Sequence, residues 1–133
     1  MAAPLVLIVE DNAVNMKVVC DVLRFHGFRT IEARNGAEGI ALAAEHLPEV
    51  VLMDILLPDM DGVSALLRLR ENPLTACIPV LAVTASAMSE DRERFQVAGF
   101  DGYVAKPLDI RTFPDQVRSY CPSAVNEGRL AEV

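Results

Sequence analysis

The sequence predicts a doubly wound α/β domain, in which a five-stranded parallel sheet is covered on both faces by five helices. The first observation behind this prediction is a set of short runs of branched apolar residues, which are typical of strands buried on both faces. The second is that a segment with helical spacing follows each run, at roughly 20 to 25 residues per unit. Strands in this alternation are joined by right-handed crossovers, so the sheet is expected to be parallel.

The elements can be placed along the chain from these patterns. The five strands are expected at residues 5–9, 29–33, 50–53, 78–83 and 101–105. Each helix is ended by a turn residue: Gly27, Pro48, Pro73, Gly99 and Pro122. Ser89 is the expected cap of the fourth helix, and the fifth is expected to start at Thr112 with Pro114 in its first turn. Residues 1–121 are therefore predicted to form the domain, and residues 122–133 a flexible tail.

The composition disfavours several classes of function. Twelve basic and 19 acidic residues give a formal charge of -7, which disfavours a nucleic-acid surface. No apolar run approaches the roughly 18 residues that a membrane span needs, and the N-terminus lacks a signal-peptide pattern. We therefore expect a cytoplasmic protein without membrane insertion. The three cysteines have no CxxC spacing, which argues against a disulfide framework or a zinc site.

Polar residues follow four of the five predicted strands. Glu10 and Asp11 come after the first strand, Asp54 after the third, Thr84 after the fourth and Lys106 after the fifth. In a doubly wound sheet the carboxyl ends of the strands form one edge, and ligands bind beyond that edge. These five residues are therefore expected at one site.

Three of these residues are carboxylates, and their convergence has a chemical consequence. If the first and third strands are neighbours, Glu10, Asp11 and Asp54 lie within a few ångströms and repel one another strongly. A hard divalent cation resolves this repulsion, and a ligand set made only of oxygens suits Mg²⁺. Lys106 would add a positive charge from the far side. The sequence therefore predicts a magnesium site at the edge of the sheet.

Each of these residues has an ordinary interpretation when it is taken singly. An Asp at a strand end is more often a cap or a turn residue, Thr84 a turn hydroxyl and Lys106 a surface charge. Asp59 and Asp61 are interpreted in this way, as a solvated turn residue and the cap of the third helix. The full set on one edge is instead typical of a functional site.

The chemistry that such a set supports is phosphoryl transfer. A carboxylate such as Asp54 is a competent nucleophile when a metal ion neutralises the transferring group. Lys106 and Thr84 would then stabilise the oxygens of the acyl phosphate. A new group of about -1.5 to -2 charge is also a signal that can reorganise a loop.

At these residues the sequence resembles the receiver domains of two-component response regulators. The resemblance covers about residues 5–120, nearly the whole chain. It rests on these motifs: Val9-Glu10-Asp11-Asn12, Met53-Asp54-Ile55 with Leu57-Pro58 and Asp61-Gly62, Val83-Thr84-Ala85, and Lys106-Pro107.

The resemblance implies a role for each site residue. Asp54 would accept a phosphoryl group from a histidine kinase or a phosphotransfer protein. Asp11, Asp54 and the backbone carbonyl of Leu56 would bind Mg²⁺, and Glu10 would assist through water. Leu56 is apolar where some relatives carry a polar side chain that can orient water, so slow loss of the phosphate is expected.

The resemblance also implies structural features. It implies the flavodoxin-like strand order 2-1-3-4-5, a cis peptide bond between Lys106 and Pro107, and an aromatic switch at Tyr103 that acts with Thr84. From the residues alone, a partly exposed strand residue is an equally good interpretation of Tyr103.

Two further segments, residues 10–17 and 85–88, are similar to single-domain cell-cycle receivers of the DivK type, although receivers attached to hybrid kinases share much of this pattern. The resemblance implies a signalling protein, monomeric or weakly dimeric. It would not be a conventional enzyme, although it would catalyse its own phosphorylation and dephosphorylation. Its output would be a contact with a downstream effector protein through the fourth helix, fifth strand and fifth helix, or else relay of the phosphate onward.

Three alternative functions share parts of this pattern. A flavodoxin-like electron carrier needs a phosphate-binding loop rich in Ser, Thr and Gly after the first strand, where this chain has the anionic pair Glu10-Asp11. A phosphatase of the haloacid dehalogenase type would carry an Asp-x-Asp motif there. A pseudo-receiver, which binds partners without being phosphorylated, is disfavoured by the complete set of site residues.

Overall fold

The computed structural model describes residues 3–85 and 88–123. The five strands are β1 (Leu5–Val9), β2 (Arg29–Ala33), β3 (Val50–Asp54), β4 (Val80–Thr84) and β5 (Gly102–Ala105). The five helices are α1 (Ala13–Phe25), α2 (Gly36–His46), α3 (Gly62–Glu71), α4 (Ser89–Ala98) and α5 (Phe113–Ser119). Strands and helices alternate along this part of the chain, as the sequence predicts.

The strands form one parallel sheet in the order β2-β1-β3-β4-β5, which confirms the predicted doubly wound fold. In this sheet Val9 pairs with Met53, so the next residues, Glu10 and Asp54, end their strands at the same level. Thr84 pairs with Ala105 at the ends of β4 and β5. The register therefore brings the carboxyl ends of β1, β3, β4 and β5 to one edge.

The two faces of the sheet are covered by separate apolar clusters. Because successive side chains of a strand point to opposite faces, each inner strand contributes to both clusters. The cluster under α1 and α5 contains the strand residues Val6, Ile8, Leu52, Leu81 and Val83. The cluster under α2, α3 and α4 contains the strand residues Leu7, Val9, Val51, Met53 and Ala82. This burial on both sides explains why the inner strands are continuous apolar runs.

The last two strands are shorter at their starts than the sequence predicts. We expected β4 from residue 78, but it begins at Val80, and β5 begins at Gly102 instead of residue 101. The backbone of Ile78 is used in a turn, since its N–H donates to Thr75 and its carbonyl accepts from Arg70. These contacts use backbone groups of Ile78 that could otherwise extend the ladder at its amino-terminal end.

The ends of the last two helices also differ in detail. The cap position of α4 is Met88, so the expectation that Ser89 caps this helix is wrong, and Ser89 is its first residue. Helix α5 has Thr112 at its cap position and a proline in its first turn, as predicted, but it ends at Ser119, before Pro122.

Part of the predicted tail is included in the described residues. The backbone N–H and the hydroxyl of Ser123 both donate to the carboxylate of Glu49, each at 2.9 Å. Residues 124–133 lie outside the described part of the chain, so the flexibility of the tail and the boundary at residue 121 stay predictions.

No helix within residues 3–85 and 88–123 could span a bilayer. A span needs about 20 apolar residues, whereas the longest helix, α1, has 13.

Candidate functional site

The end of β1 supplies two acidic side chains with different surroundings. Glu10 is only 4% exposed, and its backbone N–H donates to the carbonyl of Ala33 in β2. Its carboxylate accepts a hydrogen bond from the N–H of Asn12 at 3.2 Å. The side chain of Asn12 in turn caps α1 by accepting from the N–H of Asn15 at 3.0 Å. The strand end and the helix start thus hold Glu10 inward, while Asp11 is exposed.

The end of β3 places Asp54 beside this pair. Asp54 is 6% exposed and follows the buried residues of its strand. One carboxylate oxygen, Oδ1, accepts from the N–H of Leu56 at 3.0 Å, and the other, Oδ2, accepts from the ammonium of Lys106 at 3.2 Å. Both oxygens of this buried carboxylate therefore have hydrogen-bond donors, as a buried charge requires.

Lys106 joins the two buried carboxylates. Its Nζ lies 3.2 Å from Glu10 Oε2 and 3.2 Å from Asp54 Oδ2. Its backbone N–H donates to the carbonyl of Thr84 at 2.8 Å, which ties the end of β5 to the end of β4. The Lys106-Pro107 peptide bond is cis, as the sequence resemblance implies.

The charges at this site change the proton affinities of two groups. Burial, the hydrogen bond with Asp54 and the negative charge of Asp54 raise the pKa of Glu10, and the attraction of Lys106 only partly offsets them. Burial alone would lower the pKa of Lys106, but the contacts with Asp54 and Glu10 outweigh it, so the pKa of Lys106 is raised. Lys106 therefore stays an ammonium at neutral pH, and Asp54 and Glu10 compete for it.

A cavity of about 510 Å³ lies at this edge of the sheet. The predicted residues that line it are Glu10, Asp11, Asp54, Leu56, Thr84 and Lys106. Thr84, at the end of β4, is itself buried. The structure therefore brings together all six residues that the sequence assigns to phosphoryl transfer and metal binding.

The three carboxylates have the geometry of a cation site. Oxygens of Glu10, Asp11 and Asp54 all lie within 4.8 Å of one another. Three carboxylates and the ammonium of Lys106 give a formal charge of -3 + 1 = -2. A compact, anionic set of oxygen atoms suits a hard divalent cation such as Mg²⁺. The cluster could therefore hold such an ion.

Leu56 faces the cavity from the loop that follows β3. Its backbone is fixed on two sides, by the hydrogen bond to Asp54 and by an isolated antiparallel bridge to Asp61. Its side chain is exposed. The assignment of its carbonyl as a metal ligand stays a prediction.

Tyr103 lies outside this cavity. The guanidinium of Arg92 in α4 stacks on its ring, 4.9 Å from the centroid, and the side chain of Gln116 donates to its carbonyl at 2.7 Å. Tyr103 pairs with Ala82, two residues before Thr84, so Tyr103 and Thr84 stand on the same face of the sheet. The switch role of Tyr103 stays a prediction.

Sequence reasoning missed several residues of this region. Asn15 of α1 and Arg94 and Phe95 of α4 also line the cavity, although nothing in their local sequence marks them. Asp61 caps α3, as predicted, by accepting from the N–H of Ser64. Asp59, by contrast, is more than a solvated turn residue. Its carboxylate accepts hydrogen bonds from two backbone N–H groups of α2.

The bridging position of Lys106 predicts a measurable effect on stability. In the absence of divalent cations, Lys106→Met leaves two like charges facing each other. We expect a loss of about 1–2 kcal/mol in the free energy of unfolding, less than for a fully buried ion pair because the ammonium keeps some contact with water. Adding Asp54→Asn should restore part of this loss, since it removes one of the two charges.

Urea denaturation of both variants and the parent measures these changes. Lys17→Met, which removes an exposed lysine paired with Asp21, is the control and should change stability little. A double variant less stable than Lys106→Met alone would show that the two carboxylates do not repel each other.

Comparisons with known proteins agree with this geometry. The sequence profile of the response regulator receiver domain matches residues 6–118 of the chain. The polar-differentiation response regulator DivK of Brucella anthropi is 42% identical over 119 residues, which cover 90% of this chain and 97% of that protein.

Solved structures with the same fold include two that are informative for this site. The receiver domain of a sensor histidine kinase from Pseudomonas aeruginosa, described with a magnesium ion coordinated in the active-site cleft, is 33% identical with a TM-score of 0.82, covering 90% of this chain and 98% of that one. A response regulator receiver domain of Saccharomyces cerevisiae, crystallised with its histidine phosphotransfer protein, is 25% identical with a TM-score of 0.81 and 90% coverage of each chain.

The family profile covers most of the chain, and the DivK relative matches nearly its full length at high identity. The sheet order and the polar residues at the strand ends are those that this resemblance implies. The chain therefore belongs to the response regulator receiver domains of two-component signalling and is similar to those of the DivK type.

Proposed function

We propose that this chain accepts a phosphoryl group on Asp54 from a phosphohistidine of a histidine kinase or phosphotransfer protein, and that the modification changes a protein-binding surface. The observation that carries the proposal is the position of the Asp54 carboxylate, which belongs to the cluster of three carboxylates and also contacts the ammonium of Lys106. A nucleophile in this position has cations on both sides of the transferring group once a metal ion is bound. The same proposal places the chain in the cytoplasm.

The transfer step is a substitution at phosphorus. A carboxylate oxygen of Asp54 attacks the phosphorus atom, the bond to the imidazole nitrogen breaks, and its electron pair returns to the imidazole. The product on this chain is an acyl phosphate. Mg²⁺, held by Asp11, Asp54 and the carbonyl of Leu56 with Glu10 acting through water, would neutralise charge on the phosphoryl oxygens.

Lys106 and Thr84 would supply further contacts to the transferred phosphoryl group. The ammonium of Lys106 already contacts Asp54 Oδ2, so it needs only a small movement to bind an oxygen of the new phosphoryl group. Thr84 lines the same cavity, and its hydroxyl would donate to another oxygen. Movement of Thr84 would change the packing of Tyr103, which lies on the same face of the sheet. This change would alter the surface formed by α4, β5 and α5, where we place the contact with a downstream effector.

An apolar surface beside the cavity suits the donor protein. Val14 and Val18 on α1 are 71% and 44% exposed, and Ile110 in the loop before α5 is 56% exposed. Val18 and Ile110 line a further cavity of about 510 Å³ that shares Glu10 and Lys106 with the proposed phosphorylation site. A protein seated on this surface would present its phosphohistidine directly to the acidic cluster.

Incubation with acetyl phosphate and Mg²⁺ tests the central proposal. We expect the parent to gain the mass of one phosphoryl group in a form labile to hydroxylamine, and Asp54→Asn to gain none, because the nucleophile is lost. Asp21→Asn, which changes an exposed carboxylate on α1, is the control and should label like the parent. An unlabelled parent, or equal labelling of Asp54→Asn, would overturn the proposal.

The side chain at position 56 is expected to influence the lifetime of the acyl phosphate. Leu56 lines the cavity and its apolar side chain cannot orient an attacking water, so the phosphate should be lost slowly. We expect Leu56→Asn to accelerate the loss roughly 3- to 10-fold, since an amide can hold water near the phosphorus. The decay of labelled protein after removal of the donor measures this rate. Equal decay in parent and variant would count against the assignment.

The apolar surface of Val14, Val18 and Ile110 predicts that one substitution will slow phosphorylation by a donor protein but not phosphorylation by a small molecule. Val18→Asp should slow transfer from a phosphorylated histidine kinase about tenfold, because loss of one interface anchor costs of the order of 1–2 kcal/mol. Labelling by acetyl phosphate, which needs no docking surface, should change little. Val97→Asp, at an exposed position of α4, is the matched control. Equal slowing with both donors would show that the substitution disturbs the phosphorylation site itself and not a docking surface for the donor protein.

A further inference from the structure

The loop of residues 55–61 between β3 and α3, here called the acceptor loop, is fixed at both its base and its tip. At its base, the N–H of Gly62 donates to the carbonyl of Ile55 at 2.8 Å, and Leu56 and Asp61 form an antiparallel bridge. At its tip, the carboxylate of Asp59 reaches a different element, helix α2. The base is a local turn, whereas the contact at the tip joins residues more than 20 positions apart.

The tip contact is a pair of hydrogen bonds. Asp59 Oδ1 accepts from the N–H of Gly36 at 2.8 Å, and Oδ2 accepts from the N–H of Ala37 at 2.9 Å. These groups belong to the first turn of α2, where backbone donors lack partners within the helix and negative charge is favoured. The hydrogen bonds from Ala37 and Gly36 lower the pKa of Asp59, which therefore stays a carboxylate at neutral pH.

The same end of α2 has a second, local cap. Asn35 accepts from the N–H of Glu38 at 2.8 Å. The helix start is therefore stabilised by two side chains, of which Asp59 belongs to the acceptor loop and Asn35 does not. Either cap can be removed by substitution without the other. An effect on the stability of the helix end can therefore be distinguished from an effect on the position of the loop.

Close packing supports the same connection. A Cβ atom added to Gly36 would lie 2.5 Å from Cγ of Met60, so the residue after Asp59 lies directly on the start of α2. Farther along α2, a Cβ atom on Gly39 would lie 2.7 Å from a methyl carbon of Val9. Helix α2 thus contacts the acceptor loop at its first residue and β1 one turn later, just before Glu10.

These contacts link the two halves of the proposed phosphorylation site. The end of β1 carries Glu10 and Asp11, and the acceptor loop carries Leu56, whose N–H binds Asp54 Oδ1. Helix α2 packs on the end of β1, and Asp59 of the acceptor loop binds its first turn. A shift of the loop tip relative to α2 would therefore change the separation between the Leu56 backbone and the carboxylates of β1.

We propose that Asp59 is a positioning residue: by binding the first turn of α2, it holds the acceptor loop so that the backbone of Leu56 stays in register with Asp54 and the acidic cluster. The proposal rests on the function proposed above. Asp59 itself contacts neither Asp54 nor the cavity. It acts through the loop, as residues behind metal ligands commonly do.

Two substitutions at Asp59 and one matched control test this role. Asp59→Ala removes both hydrogen bonds, and Asp59→Asn keeps one acceptor oxygen but removes the charge. Asn35→Ala removes the local cap of the same helix end and leaves the loop contact intact. Caps of this kind contribute to helix stability, so all three variants should have a lower Tm, with Asp59→Ala and Asn35→Ala similarly affected.

Hydrogen exchange gives a readout that does not depend on phosphorylation. In Asp59→Ala, the amides of Leu56 and Gly62 should exchange about tenfold faster than in the parent, because the loop loses both hydrogen bonds at its tip. In Asn35→Ala, the same amides should exchange at the parental rate. Asp59→Asn should lie between Asp59→Ala and the parent.

Calorimetric titration with Mg²⁺ alone gives the second readout. Loss of a residue behind a metal ligand typically weakens binding 10- to 100-fold, and for this more distant contact we expect about a tenfold rise in the dissociation constant of Asp59→Ala. Asn35→Ala should bind like the parent. With acetyl phosphate as donor, the Mg²⁺ concentration for half-maximal labelling should rise by the same factor, whereas the rate at saturating Mg²⁺ should change less.

The outcomes separate the two proposals. If Asp59→Ala and Asn35→Ala show the same exchange and the same Mg²⁺ affinity, Asp59 is only a helix cap and the positioning role is overturned. If Asp59→Ala does not fold, Asp59→Asn decides by the same comparison with Asn35→Ala. A parent that binds Mg²⁺ but is never labelled on Asp54 would overturn the proposed function, and exchange in the variants would still report on the loop.

Discussion

The contact of one ammonium with two buried carboxylates is the interaction on which the site depends. Glu10 directly follows β1 and Asp54 ends the adjacent strand β3 at the same level, so their charges lie side by side at one edge of the sheet. Burying either alone would cost several kcal/mol. Lys106 follows β5 and reaches Asp54 past β4 and Glu10 past both β4 and β3, which the length of its side chain permits. The strand order therefore determines which residues can neutralise one another.

The sheet and most of the site could be predicted because their signals are local. A fully buried parallel strand is a short apolar run, and Asp54 is conspicuous where it ends one. The contacts that the sequence does not reveal join distant segments. Arg70 binds the carboxylate of Asp101, 31 residues later in the chain, and Asp59 binds backbone groups 22 and 23 residues earlier. Periodicity cannot indicate such pairs, because each partner is ordinary in its own segment.

Helix caps show the same limit at a smaller scale. Asn12, Asn35 and Asp61 each cap their helix from within three residues, and such caps have a recognisable pattern. At α4 the pattern was misleading, because Ser89 is a good capping residue but the backbone becomes helical one position earlier than expected, after Met88. The position where a helix starts depends on the preceding loop, which local propensity does not determine.

The charge balance of the site explains why phosphorylation of Asp54 would be felt at a distance. The cluster and Lys106 already carry a formal charge of -2, and an acyl phosphate adds more negative charge. One ammonium cannot then hold Glu10, Asp54 and the new phosphoryl oxygens at their present distances, so Lys106 must redistribute its contacts. The backbone of Lys106 is hydrogen-bonded to Thr84, so this redistribution acts directly on the ends of β4 and β5. Lys106 stabilises the unmodified site by contacting both buried carboxylates. It is therefore also the residue through which a change of charge at Asp54 would reach the proposed output surface.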